Sequence, residues 1–289
     1  MKKNSYLCSY LHFKLKKMGQ TTKRILFVNS EMAPFVPESK ISTICRNLPQ
    51  GIQERRREIR SFMPRYGCIN ERKNQLHEVI RLSGMNLIIS DVDRPLVIKV
   101  ASISAARLQV YFIDNEDYFR RKQIDRNDEG RFFEDNDERA IFFARGILET
   151  VKKLRWAPDV IHCQGWISQL VPIYLKKAYK DDPIFSNSKV VLSLYNDIPG
   201  EGFSPEFADK LVAGGITAED VAVLKEATGT NLAKLAASYS DAVIMGDADI
   251  DAGLQEYCAS LGLPVLPFNA DAAADGSYID EYDKFYDQL

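Results

Sequence analysis

Short apolar runs alternate along this chain with segments whose apolar residues recur at helical spacing, and that alternation limits the fold more than any other feature. Arg24–Glu31 (RILFVNSE), Glu58–Arg65 (EIRSFMPR), Asp159–Cys163, Val190–Leu194, Asp241–Met245 and Val265–Phe268 read as strands. Several are apolar at successive positions, the pattern of strands covered on both faces. Between them, Ile41, Ile44, Leu48 and Ile52 mark one helix. Ile141, Ala144, Leu148 and Val151 mark a second within Asp137–Leu154, with Asp135 or Asn136 placed to cap it. Ile167, Leu170, Val171, Tyr174 and Leu175 mark a third, and Ile250–Leu261 holds another. Two strands joined through a helix run parallel, because the helix carries the chain back to the starting edge of the sheet. The expected fold is therefore α/β, a single Rossmann-like, doubly wound, mostly parallel sheet. Pro49 removes a hydrogen bond inside the first helix and should kink or crowd it.

Leu76–Ile80, Met85–Ile89, Leu96–Ile103 and Leu108–Ile113 are β-rich and too closely spaced for helices between them. They read as a small antiparallel hairpin insertion. The Ala/Asp-rich Ala270–Gly276 reads as a linker, and Tyr278–Leu289 as an amphipathic helix with Tyr278, Tyr282, Phe285 and Leu289 on one stripe. In domain terms, residues 1–22 are expected to form a disordered basic extension and 23–289 one lobe, closed by a docking helix at 277–289.

Charge and cysteine content narrow the function classes. The net charge of -2 is unevenly spread: residues 1–23 carry six lysines and no acids, residues 241–289 eleven acids and one lysine. The main body is near neutral, so nucleic acid is not an expected partner. The five cysteines are scattered without metal-ligand spacing, which suits a reduced, cytoplasmic setting with no metal or cofactor expected. The basic N-terminus is too interrupted by polar residues for a signal sequence, and no stretch approaches the roughly 18 apolar residues of a membrane helix.

A set of residues in fixed order is more specific. Ser30, Glu31 and Pro34 follow the first strand, Leu48–Pro49 lies in the first helix, and MPRYG (Met63–Gly67) ends the second strand. Asp135, Asn136 and Arg139 come next, then WAPDVIHCQGW (Trp156–Trp166), then Leu194, Tyr195 and Asn196. In this order the chain resembles the N-terminal lobe of glycogen and starch synthases, over about residues 24 to 246. That family is of GT-B type: two Rossmann-like lobes, with a sugar nucleotide held mostly by the second and transfer in the cleft between them. The resemblance implies an ADP-glucose-type retaining glucosyltransferase ancestry and an α-glucan or maltooligosaccharide ligand.

The departures from the family pattern are equally specific. The family's Lys-x-Gly-Gly-Leu falls on Pro37, Glu38, Ser39, Lys40 and Ile41, so its lysine and both glycines are replaced. Bare glycines let backbone amides at a helix start approach a diphosphate. Side chains at Ser39 and Lys40 obstruct that approach and Glu38 repels it, while Lys40 could supply a cation from a different angle. The second histidine of His-x-His-Asp-Trp falls on Gln164, which can hydrogen-bond a sugar hydroxyl but cannot do proton chemistry. By strand alternation the retained His162 shares a face with Gln164, either toward a sugar or satisfied within the core. Asp135 matches the family aspartate near the sugars and could equally be a helix N-cap. Tyr195, beside Asn196, is either the wall of a sugar pocket or core packing. A sugar is thus expected at the C-terminal strand ends, among Asn29–Pro37, Asp135, Gln164 and Tyr195–Asn196.

The Arg-x5-Lys and Glu-x7-Glu patterns of the family's second lobe do not follow residue 246. Three readings result: a catalytically silent glucan- or partner-binding module, a glucosyltransferase whose donor lobe comes from a partner chain, and a Rossmann-like protein with an unrelated small ligand.

Overall fold

The computed structural model describes residues 22–289, and the expected basic extension falls almost wholly outside the described residues. In chain order the elements are β1 (Arg24–Asn29), α1 (Lys40–Glu54), β2 (Glu58–Pro64), β3 (His77–Glu78), β4 (Met85–Ile89), β5 (Val92–Ile103) and β6 (Leu108–Asp114). Then come α2 (Glu116–Phe119), α3 (Asn136–Leu154), β7 (Val160–Gln164), α4 (Val171–Lys177), β8 (Lys189–Leu194), α5 (Phe207–Leu211), α6 (Gly229–Ser238) and β9 (Ala242–Met245). The chain closes with α7 (Ala252–Ser260), β10 (Val265–Leu266), α8 (Ala270–Asp275) and α9 (Tyr278–Asp287).

The strand order is β10-β9-β8-β7-β1-β2-β6-β5-β3, parallel from β10 through to β6. The chain winds outward from β1 through β2 to β6, then returns to start again at β7 on the other side of β1. Order therefore reverses between β1 and β7, where the loops at the strands' C-terminal ends diverge and leave a crevice. Asn29 and Gln164, the last residues of these two strands, are paired in register.

Alternation along β1 sends Ile25 and Phe27 to one face, against Leu48 and Ile52 of α1 and Tyr282, Phe285 and Tyr286 of α9. Leu26 and Val28 face the other layer, with Ile141 of α3, Ile173 of α4, Leu232 of α6 and Leu254 of α7. Both faces are thus covered by helices, as the apolar runs require. The three buried aromatic rings of α9 contribute roughly 2 kcal/mol each by burial. Arg57 fixes the direction of α9 by pairing with Asp283 at 2.8 Å and Asp287 at 2.7 Å.

Three local expectations are corrected. Leu76–Ile80 contributes only His77–Glu78 as strand, paired antiparallel to β5 at the sheet edge. The expected antiparallel hairpin segment is present: β3, β4 and β6 each pair antiparallel with β5, and β6 joins the segment to the main sheet by pairing parallel with β2. Ala270–Asp275 is helix rather than linker, because the Asn269 side chain accepts the Ala272 N–H at 3.2 Å and alanine loses least on entering a helix. The last strand is confined to Val265–Leu266. Helix α1 continues through Pro49 to Glu54 and is not broken there.

Candidate functional site

At the β1/β7 reversal, where open α/β sheets leave a strand-end crevice, three buried polar side chains meet. The Gln164 Nε2 donates to Asn29 Oδ1 at 2.7 Å, and the Tyr195 hydroxyl donates to Gln164 Oε1 at 3.1 Å. The Asn29 Nδ2 in turn reaches the Phe62 carbonyl at 3.2 Å. Asn29 and Gln164 are fully buried and Tyr195 nearly so. The resulting relay crosses four strands, from β8 through β7 and β1 to β2. Burial pushes the Tyr195 phenol well above its ordinary range, so it remains a neutral donor. The backbone of Gly246 lies against its ring, where an added Cβ would come within 2.2 Å.

His162 sits two residues before Gln164 on the same face, but beneath α9. Its Nδ1 is 2.7 Å from the Tyr286 hydroxyl and its Nε2 is 2.6 Å from Ser193 Oγ. Burial lowers its pKa to about 3, so it is a neutral imidazole with both nitrogens partnered. The structure thus separates His162 from the strand-end crevice.

Above the floor, acidic groups gather. Glu31 accepts from Ser39 Oγ at 2.9 Å, and burial raises its pKa despite that bond. Asp197 follows β8 and accepts the Trp166 N–H at 2.9 Å, while its other oxygen is enclosed without a partner. Burial, reinforced by the charges of Glu31 and Asp125, pushes Asp197 up to about 7. Asp125 is raised mainly by burial, against the pull of Arg126 and Arg139. Glu31 lies within the expected Asn29–Pro37 stretch, whereas Asp125 and Asp197 were not expected; they lie in loops whose approach no local pattern discloses. Among the described residues, no group of three or more His, Cys, Asp or Glu side chains is placed to hold a metal ion.

Two loops strap this region. Phe132 meets Trp166 at 5.5 Å and Phe203 at 5.4 Å between ring centroids. Arg126 pairs with Glu201 across the same loops. The first loop is anchored by Arg139, whose fully buried guanidinium donates to the Tyr118 carbonyl at 2.8 Å, the Ile124 carbonyl at 2.6 Å and the Asn136 side chain. Burial lowers its pKa from the usual value for arginine.

The other expected site residues fall around this floor. Asp135 occupies the N-cap position of α3 but makes no capping bond, which corrects the capping expectation; instead Arg121 grips its carboxylate at 2.6 and 2.5 Å. Pro37 is exposed, its carbonyl accepting from Ser42 Oγ at 3.2 Å. Ser39 caps α1 through a reciprocal bond with Ser42. Lys40 points to Asp247 at 2.8 Å, and its ammonium lies 5.5 Å from the Phe268 ring centre. Asn196 is exposed at the crevice mouth. Asn29, Gln164 and Tyr195 are therefore joined directly, whereas Asp135 and Lys40 are held by partners of their own.

Comparison with known proteins agrees with this architecture. The family model for the starch synthase catalytic domain matches residues 24–256. Glycogen synthase of Chlorobaculum tepidum is 33% identical over 254 residues, covering 85% of this chain and 52% of that protein. Glycogen synthase of Chlorobium limicola is 38% identical over 180 residues, covering 62% of this chain and 37% of the relative. This chain thus spans about half or less of the length of these relatives. The catalytic domain of starch synthase IV from Arabidopsis thaliana, solved with ADP and acarbose, superposes with a TM-score of 0.69 at 16% identity, covering 86% of this chain and 51% of that one. At that identity the superposition establishes the shared fold. With its strand order, its ordered residues from Ser30 to Asn196 and a family match over most of its length, the chain belongs to the glycogen and starch synthase family, within the starch synthase catalytic domain.

Proposed function

We propose that this chain is a saccharide-binding module of glycogen synthase descent that does not transfer glucose on its own. The observation that carries the reading is Gln164. It stands where the family has a sugar-facing histidine, and both ends of its amide are already engaged inside the protein, to Asn29 and Tyr195. Those two bonds and its complete burial hold the side chain at the crevice floor, turned toward its neighbours rather than toward a reacting sugar. The loop at Pro37–Ser39 adds to this: it lacks the lysine and glycines of the family pattern, and Ser39 is committed to capping α1. An α-glucan ligand fits the family and the near-neutral lobe; the relative solved with ADP and acarbose binds both a nucleotide and a saccharide analogue.

A second reading is a glucosyltransferase that works with a partner chain supplying the donor lobe. It is favoured by Asp135, which matches the family motif and keeps a side-chain exposure of 27% beside the crevice. Calorimetric titration of the purified chain with ADP-glucose and with maltoheptaose separates the readings. Maltoheptaose binding without ADP-glucose binding is expected; tight ADP-glucose binding by the chain alone would contradict the proposal.

A further inference from the structure

A second recess lies on the far side of Lys40, between the start of α1, the ends of β9 and β10, and helices α8 and α9. Its volume is about 500 Å3, within the range of small-molecule pockets. None of the strand-end floor residues lines it, although Gly246 in its wall backs onto Tyr195.

The lining combines aromatic surface with oriented polar groups. Phe268 and Tyr278 are half-buried, and Tyr278 packs edge-on against Tyr282 with ring centres 5.7 Å apart. Asn269 is fixed at both ends of its amide: the oxygen caps α8, and the nitrogen donates to Glu281 Oε1 at 2.7 Å. Glu281 and this amide are thereby held in place on one wall, with Asn47 of α1 on the recess lining too. The charge balance selects among ligands. Lys40 is the cation in the lining and is already paired with Asp247, while Glu38 and Glu281 add two further carboxylates. An anionic ligand, such as a phosphate ester, would be repelled here. A neutral polyhydroxylated ring is suited: its C–H face packs on aromatic rings while its hydroxyls donate to carboxylates and accept from amides.

We infer that this recess binds a neutral oligosaccharide, separately from the strand-end crevice. The choice of an α-glucan as the oligosaccharide rests on the functional reading above; the neutral, ring-stacking class rests on the lining. Occupancy would couple α9 to α1, since the recess is built between them.

The test is a titration of the isotope-labelled full chain with maltotriose, followed by amide resonances, with inorganic pyrophosphate as the anionic probe. Shifts are expected at Phe268, Asn269, Ala273 and Tyr278 with maltotriose and not with pyrophosphate. Ala273 is exposed at the recess, so Ala273→Trp should fill the mouth without disturbing the core and weaken maltotriose at least about tenfold. Glu281→Gln, which keeps shape and removes one charge, should retain the pattern of shifts. Maltotriose shifts confined to Gln164, Tyr195 and Asn196, unchanged by Ala273→Trp, would overturn this site and leave the saccharide reading standing. Absence of maltotriose shifts anywhere would overturn both, and pyrophosphate shifts at Asn269 and Tyr278 would overturn the ligand class.

Discussion

The Nε2 of Gln164 donates to Asn29 Oδ1 at 2.7 Å, joining the last residues of the two strands between which the sheet reverses its order. A polar contact at that place closes the floor of the crevice. Because both side chains are fully buried, removing one leaves the other without its partner. Gln164→Ala should therefore cost about 2–3 kcal/mol of unfolding free energy, from an unsatisfied Asn29 oxygen and Tyr195 hydroxyl plus a small cavity. Urea titration of the variant against the native chain measures it.

His162 makes stability depend on pH in a defined direction. Its folded pKa of about 3 lies below the 6.5 of an unperturbed histidine, so as pH falls below 6.5 the unfolded chain takes up a proton that the folded chain refuses. The stability present above pH 6.5 is progressively lost toward pH 3. At pH 5 this amounts to about 2 kcal/mol for the one group. Replacement by glutamine removes the titration, so the stability gap between native chain and His162→Gln should narrow as pH is lowered from 7.5 to 5. A gap independent of pH would contradict the assignment.

Asp197 acts with the opposite sign. Its folded pKa, pushed up to about 7 by burial, exceeds the ordinary 3.8. Its contribution is fully present below pH 4 and is lost as pH rises through 7, where the folded protein must ionise a carboxylate with one unpartnered oxygen. Asp197→Asn keeps an oxygen for the Trp166 N–H and should be more stable than the native chain at pH 8. At pH 4 the two should be nearly equal in thermal unfolding.

Arg139 is the anchor of the loop that carries Asp125 and Phe132. Truncating this fully buried side chain leaves the Tyr118 and Ile124 carbonyls without their donor and opens a large cavity. Arg139→Ala should destabilise by about 3 kcal/mol or more, and amide exchange should rise first in residues 120–135.

The apolar runs disclosed the parallel strands because a strand covered on both faces leaves little choice of residue; β7 and β8 fall within a residue of their expected bounds, and β1 ends two residues early. Partner choice was not legible for β6, since a local run shows that a strand exists and not which strand it joins. Helix α8 was hidden by its Ala/Asp composition, which suits a linker as well as a capped helix. Tyr286, the residue that meets His162, lay outside the expected stripe although it stands four positions after Tyr282. At the site, sequence order located Asn29, Gln164 and Tyr195 in one crevice, but not that they bond to one another, nor that Arg121 holds Asp135 and Asp247 holds Lys40. Those pairings join distant loops, and only the folded chain brings them together.

The lobe has the synthase fold, and the proposal is that it does not carry out synthase chemistry alone. Its most direct test is a radiolabel assay in which the purified chain receives ADP-glucose and glycogen. Incorporation should not exceed background, and Gln164→His should recover none, because the loop at Pro37–Ser39 remains unsuited to a diphosphate and catalytic groups act as a unit. Sustained elongation of glycogen by the unaltered chain alone would contradict the account.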